Sequence, residues 1–396
     1  MAGFAERWGF GPDKFWLYDG LPEELVEFDE SLGLWHVYGY PEALEVLNNP
    51  DAFSTDSARL FNLDEQTAKY IDGDLTQMTG AQHAHLREQV ATAFGATAMA
   101  DLEPRVHEVA GGLLDNLAGR DRFDLLGEFV GDLSGIVFCE LLGIPAEDRA
   151  LFALIDQNMD AEAQLATVAT SEGADYFDNL TAPLQPLRDM LGAHIDRRIR
   201  QPRKDLLSLL VGVRKLDGTP LSRDQIINFV IGMLGAGHLS TPLLIGNATL
   251  CLESFPDQAV RVRTDRSLVP GMLEETMRFL TPAAATYRAT TVAAQIAGRT
   301  IPADQLVRVW FGAANRDPRR FGDPGRFDVT RDPNPHLGFG HGDHFCLGRR
   351  MIRIETRIVF NLLLDRCPDL RVDPDVAPAF FGSPDFTGVR SVWVRR

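Results

Sequence analysis

The sequence predicts a mainly α protein with small β-sheets, of the α+β class, on three observations. Helical spacing of apolar residues dominates from Ala81 onward, and short strand-like runs cluster near both ends of the chain. No Gly/Ser-rich or Pro-rich linker, repeat or low-complexity tract divides the 396 residues. The expectation is therefore one domain over residues 1–396, against a prior of roughly 150 residues per domain. At 45% hydrophobic and 24% charged, the composition is ordinary for a globular protein and sufficient for a large core.

In chain order, "LWHVYGYPEALEVLNNP" predicts a short strand, Leu34–Tyr38. A helix follows, opened by Pro41, whose fixed φ and missing N–H suit a first turn, and Pro50 lies just beyond its end. Ala52 to Gln77 has weak periodicity and reads mostly as a long loop. "AHLREQVATAF", "FDLLGEFVGDLSGIVFCELLG" and "PLQPLRDMLGAHIDRRIR" carry helical patterns. "LSRDQIINFVIGMLGAGHLSTPLLIGNATLCLESF" reads as one long helix starting near Ser222, interrupted by glycines and Pro242. Strand signals return in "ATTVAAQIAGRTIPADQLVRVWFG", with Gly298-Arg299 as the turn, and in the terminal "SVWVRR".

A net charge of −17 gives no long-range attraction for nucleic acid or an anionic membrane, so neither is expected as a partner. Arg349, Arg350, Arg353 and Arg357 nevertheless cluster, either as a solvated helix face or as a docking patch for a small acidic protein. Cys139, Cys251, Cys346 and Cys367 form no CxxC pair, and "MAGFAERWGF" has no apolar signal core. A reduced, cytoplasmic setting is expected. The apolar run Phe229–Leu252 contains His238, Pro242 and Asn247 and lacks flanking anchors, which favours a buried central helix over a membrane span.

The densest chemistry lies in "HLGFGHGDHFCLGRRMIRIE", where four glycines and three histidines surround Cys346. A metal-bound cysteine must be a thiolate, and a free thiol titrates at about 8.5. Gly348 and the helical run after it place the sulfur near a helix N-terminus, whose unpaired N–H groups stabilise negative charge. Gly340, Gly342 and Gly348 let the backbone wrap the sulfur, and Phe339 can exclude water. This suits one thiolate on a metal whose remaining ligands come from a cofactor. Two other readings stay open: a zinc site of His341, His344 and Cys346, whose spacing fits no standard pattern, and an inert buried cysteine.

These residues resemble the cysteine loop of the cytochromes P450, the haem-thiolate monooxygenases, whose signature Phe-x-x-Gly-x-x-x-Cys-x-Gly stands here as Phe339, Gly342, Cys346 and Gly348. The resemblance covers most of the chain. Glu275 and Arg278 match the family's Glu-x-x-Arg, with Arg326 of "DPGRFD" as the expected third member of its buried network. His83 and Arg87, four apart on one helix face, match the pair that holds one haem propionate, and Arg288 and His344 match further propionate contacts. The resemblance implies the P450 fold, with haem b (iron protoporphyrin IX) between a long central helix and the helix after the cysteine loop. Ala236 would lie against the haem, and electrons would come from a ferredoxin and ferredoxin reductase to a monomeric enzyme.

The central helix departs from the family pattern Ala-Gly-x-Asp/Glu-Thr. In "GAGHLSTP" the acid position is Leu239 and the threonine position Ser240, followed by Thr241 and Pro242. Pro242 lacks an N–H and should open the helix at the carbonyl of His238, which could then hold a water. Oxygen activation needs two protons as well as two electrons. Leu239 cannot relay a proton, whereas Ser240 can donate a hydrogen bond. The proton could come from substrate hydroxyls or ordered water. Peroxide could replace dioxygen, or the reaction could be oxidative ring closure or coupling. Substrate contacts are expected from the loop Ala58–Asp74, from Leu234 to Ser240, from Ala283–Ala285 and near Phe386, with Leu234, Ala284, Ala285 and Phe386 as named candidates. The expected reaction is oxygen insertion into an apolar organic substrate in secondary metabolism; a non-catalytic haem protein is the contrasting class.

Overall fold

The computed structural model describes residues 3–18, 20–61, 68–154 and 182–396. Helices carry the bulk of it: α1 (Gly80–Ala91), α2 (Ala96–Asn116), α3 (Gly131–Leu142), α4 (Gln185–Arg200), α5 (Arg223–Gly237), α6 (Ser240–Ser254), α7 (Val269–Phe279) and α8 (Arg349–Arg366). Helices α2, α6 and α7 pack around α8, and their apolar faces form the main core.

The strands β1 (Val26–Asp29), β2 (Leu34–Val37), β3 (Phe53–Ser54), β4 (Ala285–Thr290) and β5 (Leu306–Trp310) form one sheet in the order β1-β2-β5-β4-β3. Only the β2–β5 pairing is parallel, joining the two ends of the chain. The expected hairpin is present with its turn one residue early. Ala297 and Gly298, at φ of 49° and 76°, make the corner, and Arg299 already pairs with Ile296. The terminal Trp393–Arg395 strand pairs with Arg122–Asp124 and Arg371–Val372.

The central helix starts where the sequence places it. Ser222 accepts from the Gln225 N–H at 3.1 Å, and the Gln225 side chain accepts from the Ser222 N–H at 2.8 Å, a reciprocal cap. It breaks at His238 and Leu239, dividing α5 from α6. Pro242 removes the N–H that would have bonded the His238 carbonyl. The freed oxygen accepts from the Ser134 hydroxyl of α3 at 2.8 Å. As one unit of 32 residues, Arg223–Ser254 is long enough and, over an 18-residue stretch of mean hydropathy 1.5, apolar enough to cross a membrane. Here it is the core helix, with Thr241–Cys251 buried throughout.

Loop 68–78 lies on α5. Asn228 donates through Nδ2 to the carbonyls of Lys69 and Asp72, both at 2.7 Å. Gly73, at φ of 99°, sits where a Cβ would come within 2.5 Å of the Gln225 carbonyl, so this close approach requires glycine.

Candidate active site

A cavity of about 370 Å³ lies between the cysteine loop and the central helix. Cys346, Phe339 and Gly340 line one face, and Ala236, Gly237, Ser240 and Leu243 line the other. The loop is held by its own backbone, with the Cys346 N–H donating to the Phe339 carbonyl at 2.8 Å. Gly342, at φ of 71°, would bring a Cβ within 2.7 Å of the Leu47 carbonyl, so it admits no side chain without a shift. Gly348 differs: its φ is −79° and its Cβ position is open, so its contribution is a backbone N–H. Burial pushes the Cys346 thiol up. The N–H of Gly348, the guanidiniums of Arg349 and Arg87 and the N–H of Arg349 oppose it, all favouring the anion.

Buried bases crowd one edge of the cavity. His83 stacks on His344 with ring centroids 3.9 Å apart, and His83 Nε2 is buried without a partner. Burial, reinforced by His83, Arg288 and Arg87, lowers His344 to about 3, so its ring is neutral. Its Nε2 lies 3.3 Å from Thr55 Oγ1. Arg87 donates to the Phe345 carbonyl. Arg288 donates to the Tyr287 carbonyl at 2.7 Å and to Thr286 Oγ1 at 3.3 Å, and burial lowers it to about 10. Neither guanidinium has a carboxylate within ion-pair distance among the described residues, an arrangement that calls for an anionic guest.

Beneath the loop lies a buried charge network. The Glu275 carboxylate accepts from Arg278 at 2.7 and 2.8 Å, from the Asp328 N–H at 3.0 Å and from Asn334 at 3.1 Å. The third cation is Arg331, whose Nε lies 3.2 Å from both Glu275 oxygens. The expected Arg326 is not in it. Its side chain is 59% exposed and reaches Asp328 at 3.8 Å, and it contributes only its carbonyl, which accepts from Arg278 at 2.9 Å.

Three further expectations fail for reasons of phase. Thr241 is buried away from the cavity, its hydroxyl donating to Glu355 of α8. Leu234 faces the core, and Met233 lines the cavity with Phe229 and Ala236, three or four residues away on the same face. Ala284 packs on Trp16 and Trp310, whereas Ala283 and Ala285 line the cavity with Phe386, as the alternation of extended backbone dictates. Leu239 and Ser240 do line it, and the Ser240 hydroxyl donates to the Gly237 carbonyl at 2.7 Å. Residues 62–67 of the expected substrate loop lie outside the described residues. Asp74, Thr55 and Thr76 line the cavity without any periodic signal in the sequence.

The cytochrome P450 family profile matches residues 185–381. The chain is 33% identical over 379 residues to the cyclomarin C epoxidase CymV of Salinispora arenicola, spanning 95% of this chain and 94% of that one. It is 35% identical over 401 residues to the monooxygenase PikC of Streptomyces venezuelae, spanning 98% and 92%. The chain belongs to the cytochromes P450. Among solved structures, the himastatin-biosynthesis hydroxylase HmtN superposes on this P450 with a TM-score of 0.89 at 45% identity, covering 100% of both chains.

This P450 is a monooxygenase of a family that binds haem b through a cysteine thiolate. The site fits that group. A thiol stands at one face of an apolar slot and small residues stand opposite; buried Arg288 and half-buried Arg87, neither with a carboxylate partner, lie at one edge with His344, on which the orphaned His83 imidazole stacks, where a dianion is wanted. The proximal arginines are less free than the sequence implies. Arg353 pairs with Glu274 at 2.7 and 2.8 Å, Arg357 pairs with Glu103 at 2.6 Å, and Arg350 remains exposed. Burial works against ionising Glu274, but Arg353 and His336 outweigh it and hold its carboxyl at about 2.

Proposed function

We propose that this P450 tailors a secondary metabolite by inserting an oxygen atom into a bulky, mostly apolar substrate held over Cys346. The observation that carries the reading is the Cys346 sulfur at the floor of an apolar cavity, with the N–H groups of Gly348 and Arg349 directed at it. When bound, haem b supplies oxygen activation. Cys346 is its thiolate ligand, Phe339 shields that sulfur, and Ala236 lets the central helix approach. His83, Arg87, Arg288 and His344 hold the propionates, the guanidiniums through charge-assisted bonds. Ala285 and Phe386 contact the substrate.

Proton supply differs from the family pattern. Leu239 carries no proton, and the Ser240 hydrogen is already given to the Gly237 carbonyl. The Ser240 oxygen is left as an acceptor, so the donor is a substrate hydroxyl or a water that the substrate orders. Electrons come from a ferredoxin and its reductase, and Arg350, exposed, remains for docking, while Arg349 bonds the Cys346 carbonyl.

The test begins with the haem-loaded protein reduced under carbon monoxide. A red-shifted Soret band that is lost in Cys346→Ser supports the thiolate assignment; its absence from the wild type refutes the proposal. A screen of apolar natural products, read by the iron spin state, then identifies which molecules enter the cavity.

A further inference from the structure

We infer that Asp74 makes this cavity selective for substrates that carry a positive charge, a protonated or quaternary amine, by anchoring that group where loop 68–78 meets α5. The inference rests on the reading above only in taking this cavity as the substrate chamber.

Asp74 is the only acid among the described residues lining the cavity, which Phe94, Phe138, Phe229, Met233 and Leu239 also line. Its place is fixed by the contacts that seat loop 68–78 on α5. The carboxylate lies flat on α5 at Gly232: a Cβ there would stand 2.6 Å from Asp74 Oδ1 and 3.1 Å from Oδ2. Any other residue at 232 would displace it.

Only one of the two oxygens has a local structural use. Oδ1 accepts from the Thr76 N–H and hydroxyl, both at 2.9 Å, which closes a tight turn. Oδ2 has no donor and no cation within ion-pair distance among the described residues. The segments outside them contain no lysine, arginine or histidine side chain to supply one. Burial raises the Asp74 carboxyl, opposed by the two Thr76 bonds, so the group lacks the partner that would stabilise its charge. The cavity's guanidiniums, Arg87 and Arg288, are engaged elsewhere, by the Phe345 carbonyl and by the Tyr287 carbonyl and Thr286 hydroxyl. An alkylammonium would neutralise the carboxylate, and the aromatic wall of Phe229 and Phe138 favours the same charge. An anionic guest would meet repulsion.

The probes are octyltrimethylammonium, a fixed cation with no lone pair for iron, and octan-1-ol, an uncharged chain of the same length. Calorimetry on the haem-loaded protein reads their binding. Asp74→Asn should weaken octyltrimethylammonium by about tenfold or more while octan-1-ol changes by less than about threefold. Gly232→Ala, which displaces the carboxylate without removing it, should reproduce the selective loss. Equal effects on both probes, or none on the cation in either variant, would overturn the inference. The reduced carbonmonoxy spectrum of each preparation confirms folding and haem ligation. A red-shifted Soret band without the cation contrast sinks the Asp74 inference alone; the contrast without that band sinks the haem-thiolate reading alone.

Discussion

The two faces of the cavity are built by opposite rules. Below Cys346, a buried carboxylate is surrounded by donors: Glu275 alone takes bonds from Arg278, Arg331, Asn334 and the Asp328 N–H. Above it, the central helix presents Ala236, Gly237, Leu239 and Leu243, and its one hydroxyl, that of Ser240, is turned onto its own backbone. A carboxylate bonded by several donors fixes their positions, whereas a sparse apolar wall leaves hydrogen bonding to whatever enters. The lower face is built for fixed geometry, and the upper face for a particular guest.

The largest test of that contrast is Glu275→Ala, which leaves Arg278 and Arg331 unpaired in the interior. A loss of about 3–5 kcal/mol in denaturant unfolding of the haem-loaded protein is expected. A loss below about 1 kcal/mol would mean that the lower face is no more rigid than the upper.

The seam between the faces gives the next effect. Glu355 of α8 accepts from Thr241 of α6, and its Oε1 is buried without a partner. Burial raises its carboxyl from 4.5 to about 7, opposed by the Thr241 bond. An acid whose folded pKa is raised stabilises most below its unfolded value, and that contribution is lost as pH climbs through the folded one. Between pH about 4.5 and about 7 the wild type should therefore lose on the order of 3 kcal/mol relative to Glu355→Gln. Parallel stability curves for the two proteins would refute a protonated Glu355 at the seam.

On the upper face the effects are smaller and concern turnover. Leu239→Glu restores an acid beside Ser240 and should raise the fraction of electrons recovered in product about two- to fivefold, on the order of 1 kcal/mol. An unchanged ratio would show that proton supply does not limit this enzyme. The smallest effect belongs to the exposed proximal arginine. Arg350→Glu should slow reduction by ferredoxin severalfold at low salt and converge with wild type at high salt, because surface charges are screened. Arg353→Gln should do less, since Glu274 already engages that charge.

Legibility in the sequence follows the same division. The cysteine loop, the Glu275–Arg278 pair, His83 and Arg87 are short-range patterns, and the structure places them around one cavity or directly beneath it. Arg331 was missed in favour of Arg326 because both lie in irregular chain between helices. Which of them turns inward is decided by where carbonyls such as those of Gly322 and Arg326 lie, which no period encodes. Leu234 and Ala284 were each misplaced by one residue, errors of phase on correctly identified elements. Thr241 turned to Glu355 because the break at His238–Leu239 resets the helical face, and the break was legible at Pro242 while its rotation was not. Asp74 carries no pattern of its own; contacts made across the fold by Asn228, Gln225 and Gly232 bring it to the cavity.

Ser134 gives the upper face a further consequence. It donates to the one carbonyl that Pro242 releases, so the break in the central helix is satisfied from within the protein. The central-helix wall then offers no acid of its own, since Leu239 carries no proton and the Ser240 hydrogen is given to Gly237. A guest without an exchangeable hydrogen would fill the space and spill reductant into reduced oxygen species, while one that brings its own hydroxyl would complete the circuit. Fidelity would be decided less by how tightly a molecule is gripped than by what it carries in.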